Sequence, residues 1–135
     1  MSVEMDENLK TILLVEDNKA DVRLIQEGLK NSSIPHQIMT VRNGMEAMAF
    51  LRQEGEFSDA PRPNLILLDL NLPRKDGREV LAEIKADSSL RRIPVIVLTT
   101  SSNEEDIFHS YDLNVNCYIT KSRSLSQLFE VVKNI

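Results

Sequence analysis

The stretch Asn64-Leu65-Ile66-Leu67-Leu68-Asp69-Leu70-Asn71-Leu72-Pro73 decides the fold. Leu65 to Leu68 is a continuous apolar run, as expected of a strand covered on both faces in a parallel sheet. It closes on a carboxylate, Asp69, at a place where an unpaired buried charge is costly. Outward from it, short apolar and β-branched runs recur at Thr11–Val15, Ile38–Val41, Ile93–Leu98 and Cys117–Ile119. Helical spacing fills the intervals. Ala20, Leu24 and Leu29 mark one face after the first strand, and Ala47, Phe50 and Leu51 another. Val80, Leu81 and Ile84 follow the third strand, Ile107, Phe108 and Tyr111 the fourth, and Leu125, Leu128, Phe129 and Val132 the fifth.

Punctuation agrees with this division. Asp17 or Asn18 suits a cap for the first helix, Asn43 for the second, and Ser102 or Asn103 for the fourth. Asn114 suits a left-handed position ending the fourth helix. The segment from Glu54 to Pro63 reads as the one long loop. Alternating strands and helices predict an α/β fold: a doubly wound five-stranded parallel sheet with helices on both faces. In such sheets the ligand site lies beyond the carboxyl ends of the strands.

The chain has 135 residues, which suits one domain. Its hydrophobic share of 41% and charged share of 27% are ordinary for a globular protein, while aromatics at 4% leave an aliphatic core. A formal charge of −5 argues against nucleic acid as a partner. Cys117 is the only cysteine, so an internal disulfide and a multi-cysteine zinc site are excluded, and it reads as a small core residue. His36 and His109 lack ligand-like spacing. Met1 to Lys10 is a polar arm with no secretory apolar region, and no apolar run is long enough to span a bilayer. The expectation is a cytoplasmic protein with no membrane partner.

The first strand ends in Glu16-Asp17, the third in Asp69, the fourth in Thr99-Thr100, and the fifth reaches Lys121. Three carboxylates, a hydroxyl and an ammonium thus converge on one patch. Singly each has a plain explanation: Asp17 as a helix cap, the threonines as caps, Lys121 as a solvated lysine. Together they are harder to dismiss, because clustered carboxylates repel one another. A bound cation offsets this, and a hard oxygen-rich site suits Mg2+.

The ordered set resembles the receiver domain of two-component response regulators, a flavodoxin-like or CheY-like fold, from Thr11 to Ile135. The resemblance rests on Val15-Glu16-Asp17, Leu68-Asp69-Leu70-Asn71-Leu72-Pro73, Asp76-Gly77, Leu98-Thr99-Thr100 and Tyr118-Ile119-Thr120-Lys121. It implies that Asp69 accepts phosphoryl from a histidine kinase. Asp69, Asp17 and the Asn71 backbone carbonyl would hold Mg2+, with Glu16 acting directly or through water. Lys121 and Thr99 would serve the phosphoryl group, Thr99 and Tyr118 would form the switch, and Asn71 and Ser101 would tune dephosphorylation. A signalling protein rather than an enzyme is implied, working through its own phosphotransfer and slow dephosphorylation.

The chain departs from the family in one place. Ser122 stands where most receivers have a proline in a cis peptide after the lysine. A cis bond there costs about 2.5–4 kcal/mol, so either strain is retained or the loop takes another path. No output domain is expected after residue 135, which leaves phosphorelay or partner binding through the receiver surface. Asn64–Pro73, Lys75–Leu81 and Asn116–Ser122 narrow the likeness to the response regulators of cyanobacterial phytochromes. That implies a red/far-red-sensing kinase partner, with the downstream target unassigned. A homodimer through the fourth helix, fifth strand and fifth helix is a further expectation.

Three rivals share parts of this pattern. A pseudo-receiver that signals without phosphorylation would tolerate loss of an acid, and none is lost. A flavodoxin-like FMN carrier needs a phosphate loop after the first strand, where Glu16-Asp17 would repel phosphate. A metal-dependent phosphatase with an aspartyl nucleophile generally has a second acid two residues on, and Asn71 stands there.

Overall fold

The computed structural model describes residues 10–30, 36–70 and 72–98, and, through the backbone alone, Thr99 and 117–120. Strands β1 (Lys10–Val15), β2 (His36–Val41), β3 (Leu65–Asp69), β4 (Val95–Thr99) and β5 (Cys117–Thr120) form one sheet. Helices α1 (Lys19–Leu29), α2 (Gly44–Arg52) and α3 (Gly77–Ala86) fill the crossovers. The strand order is β2-β1-β3-β4-β5, and all four pairings are parallel. The doubly wound parallel sheet expected from the sequence is what the chain forms.

Side chains alternate across the sheet, so the apolar strands feed two cores. Leu13, Val15, Ile66, Leu68, Val95 and Val97 face α2 and α3, where Ala47, Phe50, Leu51, Val80, Leu81 and Ile84 meet them. Ile12, Leu14, Leu65, Leu67, Ile96 and Leu98 face the opposite way, onto Ile25 and Leu29 of α1. Continuous apolar runs in β1, β3 and β4 are the direct result of this double coverage.

The first helix corrects the sequence reading. Leu24 is 53% exposed and Ala20 lies in solvent, whereas Ile25 and Leu29 are buried with Val22 beside them. Adjacent residues sit about 100° apart on a helix with 3.6 residues per turn, so Leu24 and Ile25 cannot both face the sheet. The stripe running through Val22, Ile25 and Leu29 faces it.

Boundaries shift elsewhere for local reasons. β4 begins at Val95 rather than Ile93, because Ile93 closes the one-turn 3-10 helix Leu90–Arg92. The Pro94 carbonyl is the first acceptor, taking the Ile66 N–H at 2.9 Å. The long loop holds a second such turn, Gly55–Phe57, whose Phe57 ring lies 5.6 Å from that of Phe50. Asn18, not Asp17, caps α1, and Asn43 caps α2 by accepting the Glu46 N–H at 2.8 Å. On α3, partial burial desolvates the Lys85 amine and lowers its pKa below the usual lysine range. The fourth and fifth helices, their caps, Asn114 and most of the expected dimer face lie outside the described residues. Among the described residues no helix is long and apolar enough to cross a membrane.

Removing most of a side chain in the central strand, as in Ile66→Ala, is expected to cost about 2–5 kcal/mol. Leu24→Ala should change stability by no more than about 0.5 kcal/mol, since it removes a side chain already in water. Urea unfolding of the two variants checks this; equal losses would contradict the corrected face of α1.

Candidate functional site

Register brings the acids together. Val15 pairs with Leu68, so the next residues of β1 and β3, Glu16 and Asp69, emerge side by side at the carboxyl edge. Glu16 is fully buried and Asp69 is 2% exposed, while Asp17 stands in solvent. One oxygen from each of Glu16, Asp17 and Asp69 falls within 4.8 Å of the others.

The turn that carries Glu16 and Asp17 is fixed from both sides. The Glu16 N–H donates to Val41 O at 3.0 Å, tying the end of β1 to β2. Glu16 Oε2 accepts the Asn18 N–H at 3.2 Å, and Asn18 Oδ1 accepts from Ala20 and Asp21 at 2.9 and 3.1 Å. The start of α1 therefore depends on the conformation of an acid in the site. Among the described residues the set is three carboxylates with no nitrogen or sulfur donor, which suits a hard divalent cation. Beside them a cavity of about 480 Å3 opens along α1, lined by Lys19, Arg23, Thr40 and Arg42 as well as Glu16 and Asp17.

After Asp69 the chain makes a tight loop into α3. The Leu70 N–H donates to Leu98 O at 3.3 Å, and the Gly77 N–H returns to Leu70 O at 3.1 Å. Between them the Lys75 N–H reaches Pro73 O at 2.7 Å around Arg74, whose φ is 68°. A non-glycine residue in that region is uncommon and is held there by its surroundings. Asp76 Oδ1 then accepts the Arg78 N–H at 2.7 Å and caps α3. Gly77 permits the loop to close: a Cβ there would collide with the Asp69 carbonyl oxygen and lie 2.7 Å from Leu70 Cα. In the sequence Gly77 stands only as part of a motif; its contact beneath the acid comes from the fold.

The other expected site residues are placed less fully. Leu98 pairs with Asp69, so Thr99 ends β4 one step beyond it, and Thr99 pairs with Thr120. Tyr118 lies opposite Val97 within β5. Asn71, Ser101, Lys121 and the Lys121–Ser122 peptide lie outside the described residues.

The response regulator receiver domain family matches residues 12–133. The chain belongs to that family. It is 65% identical over 126 residues to response regulator Rcp1 of Synechocystis sp., covering 93% of this chain and 86% of Rcp1. Among solved structures, that of phosphorylated RcpA, a cyanobacterial phytochrome response regulator, is 74% identical with a TM-score of 0.80, covering 93% of this chain and 89% of that one. The Mn2+-bound form of Rcp1 gives a TM-score of 0.81 at 65% identity, over 93% of this chain and 91% of that one. The chain is therefore a two-component response regulator receiver, homologous to the phytochrome response regulators.

In this receiver Gly77→Ala is expected to destabilise by about 1–3 kcal/mol, the usual cost of forcing atoms into filled space. It should also shift the backbone resonances of Asp69 and Leu70. Denaturant melts with amide and carbonyl NMR check both, and an unperturbed Asp69 would show that the loop accommodates the methyl group.

Proposed function

We propose that this receiver takes a phosphoryl group from a phosphohistidine of a histidine kinase onto Asp69, in a reaction that requires Mg2+. The observation that carries this reading is the convergence of Glu16, Asp17 and Asp69 at the carboxyl ends of β1 and β3. A carboxylate needs no general base to attack phosphorus. One Asp69 oxygen forms the new O–P bond as the P–N bond of the donor breaks, and its electron pair leaves with the imidazole nitrogen. Positioning and charge neutralisation are most of what such a transfer asks of a protein.

Asp17, Asp69 and the residue 71 carbonyl would hold the metal, with Glu16 directly or through water. When bound, the ion supplies positive charge to the equatorial phosphoryl oxygens. Lys121, next in sequence after Thr120, would add a second cation, and Thr99, the last residue of β4, would offer its hydroxyl. The phosphoryl group brings roughly −1.5 to −2 charges. Drawing Thr99 toward it would free space for Tyr118 and change the surface at β5, a two-state element biased by local charge. Asn71 and Ser101, small and neutral, would leave the acyl phosphate to slow hydrolysis. The likeness to RcpA and Rcp1 supports a phytochrome-type kinase as donor. The Mn2+-bound form of Rcp1 supports a divalent ion at the acids.

Incubation with a small phosphoryl donor, read by intact mass, should label one site only when Mg2+ is present, and Asp69→Asn should abolish the label. No labelling of a folded parent would point to a pseudo-receiver. Metal binding has its own readout. At a hundredfold excess of Mg2+ over its Kd the fold should gain about 2.7 kcal/mol. Chelator removes that gain, and Asp17→Asn should lose most of it in thermal melts.

A further inference from the structure

We propose that Lys75 is a positioning residue for the metal-binding loop, held in place by α2 through Gly44 and by Glu83 of α3. The inference rests on the function proposed above, because that reading makes residue 71 of this loop a metal ligand. The bonds of Leu70 to Leu98 and of Gly77 to Leu70 pin the two ends of the loop. Between them Leu72 packs against the core under α2 and α3, and Lys75 carries a polar grip from outside the loop.

The grip has two parts. Lys75 Nζ lies 2.6 Å from Glu83 Oε2, with the two side chains 22% and 29% exposed. The other oxygen of Glu83 takes Arg52 Nη2 at 3.3 Å. Glu83 thus joins the loop to the last residue of α2. The first residue of α2 holds the loop from the backbone side. A Cβ on Gly44 would collide with the Lys75 carbonyl oxygen and lie 2.6 Å from Lys75 Cβ. Gly44 at the start of α2 therefore bears on Lys75 directly, and Arg52 at its end bears on Glu83, the partner of Lys75.

An ion pair in the open, such as Arg23–Glu27 at 80% and 56% exposure, contributes little to a structure. The Lys75–Glu83 pair is shielded, short and shared with a third group. It also abuts Arg74, whose φ of 68° persists only while its neighbours over-determine it. Releasing Lys75 removes one constraint on that strained turn and lets the loop between Asp69 and Gly77 relax. Metal affinity should then fall without any change to a metal-binding carboxylate.

The test is titration of the purified chain with Mn2+ alone, counting free ion by electron paramagnetic resonance. Thermal melts in chelator run alongside. Lys75→Met and Gly44→Ala are expected to bind Mn2+ roughly tenfold more weakly, the lower end of the usual cost of losing support behind metal ligands. Lys75→Arg, which keeps the ion pair, should stay within about twofold of the parent, as should Arg62→Ala at the far end of the sheet. Melting of the metal-free Lys75→Met chain should differ little from the parent. Unchanged Mn2+ affinity in Lys75→Met overturns the proposal, and so does an equal loss in Lys75→Arg. A parent that binds no Mn2+ overturns the functional reading itself, which keeps the two failures distinct.

Discussion

Three carboxylates held with oxygens within 4.8 Å of one another are in mutual repulsion, and two of them are buried. The rest of the molecule is arranged so that this unfavourable grouping persists. The parallel register leaves no choice about it: once Val15 lies beside Leu68, the residues that follow must be neighbours. That register is fixed in turn by apolar side chains on both faces, because a one-residue slip would exchange every side chain between the two cores. Grouping like charges in this way is characteristic of sites that bind or react, where the scaffold holds together groups that would separate in water.

The two turns that deliver the acids are controlled in different ways. After β1 the control is local: Glu16 and Asn18 hydrogen-bond within three residues, and the helix starts on top of that turn. After β3 it is long-range: the loop is shaped by Leu98 in β4, by Gly44 in α2 and by Glu83 in α3. A change far away in sequence can therefore alter the second turn while leaving the first intact. The site is half self-contained and half dependent on the packing of its neighbours.

This difference explains what could be read from the sequence. Strands covered on both faces announce themselves as apolar runs, and acids that close such runs, such as Asp69, stand out. Capping residues act over three positions, so Asn43 was legible, and the choice between Asp17 and Asn18 was narrowed though not made. The face of α1 was misread because Leu24 and Ile25 are adjacent, and each completes a plausible apolar stripe. Only the direction in which the helix crosses the sheet selects between them. Gly44 carries no sign of its role, since what a methyl group would strike there is the backbone of Lys75, thirty-one residues later. The 3-10 turn at Gly55–Phe57 was hidden for a similar reason: its Phe57 is placed by the ring of Phe50.

The strand order has a consequence for how the chain is made. With β2-β1-β3-β4-β5, each strand after the first pair joins on the same side, so the sheet grows in one direction. A nascent chain emerges N-terminus first and tends to fold as its parts become available. All three acids exist once Asp69 has been synthesised, well before Val95–Thr99 arrives to cover the next edge. Until then β3 is an unpaired apolar edge, the kind of surface that recruits foreign strands. While residues 70–94 are added to a ribosome-bound chain, that edge is therefore open to mispairing, and covering it is the first task of β4.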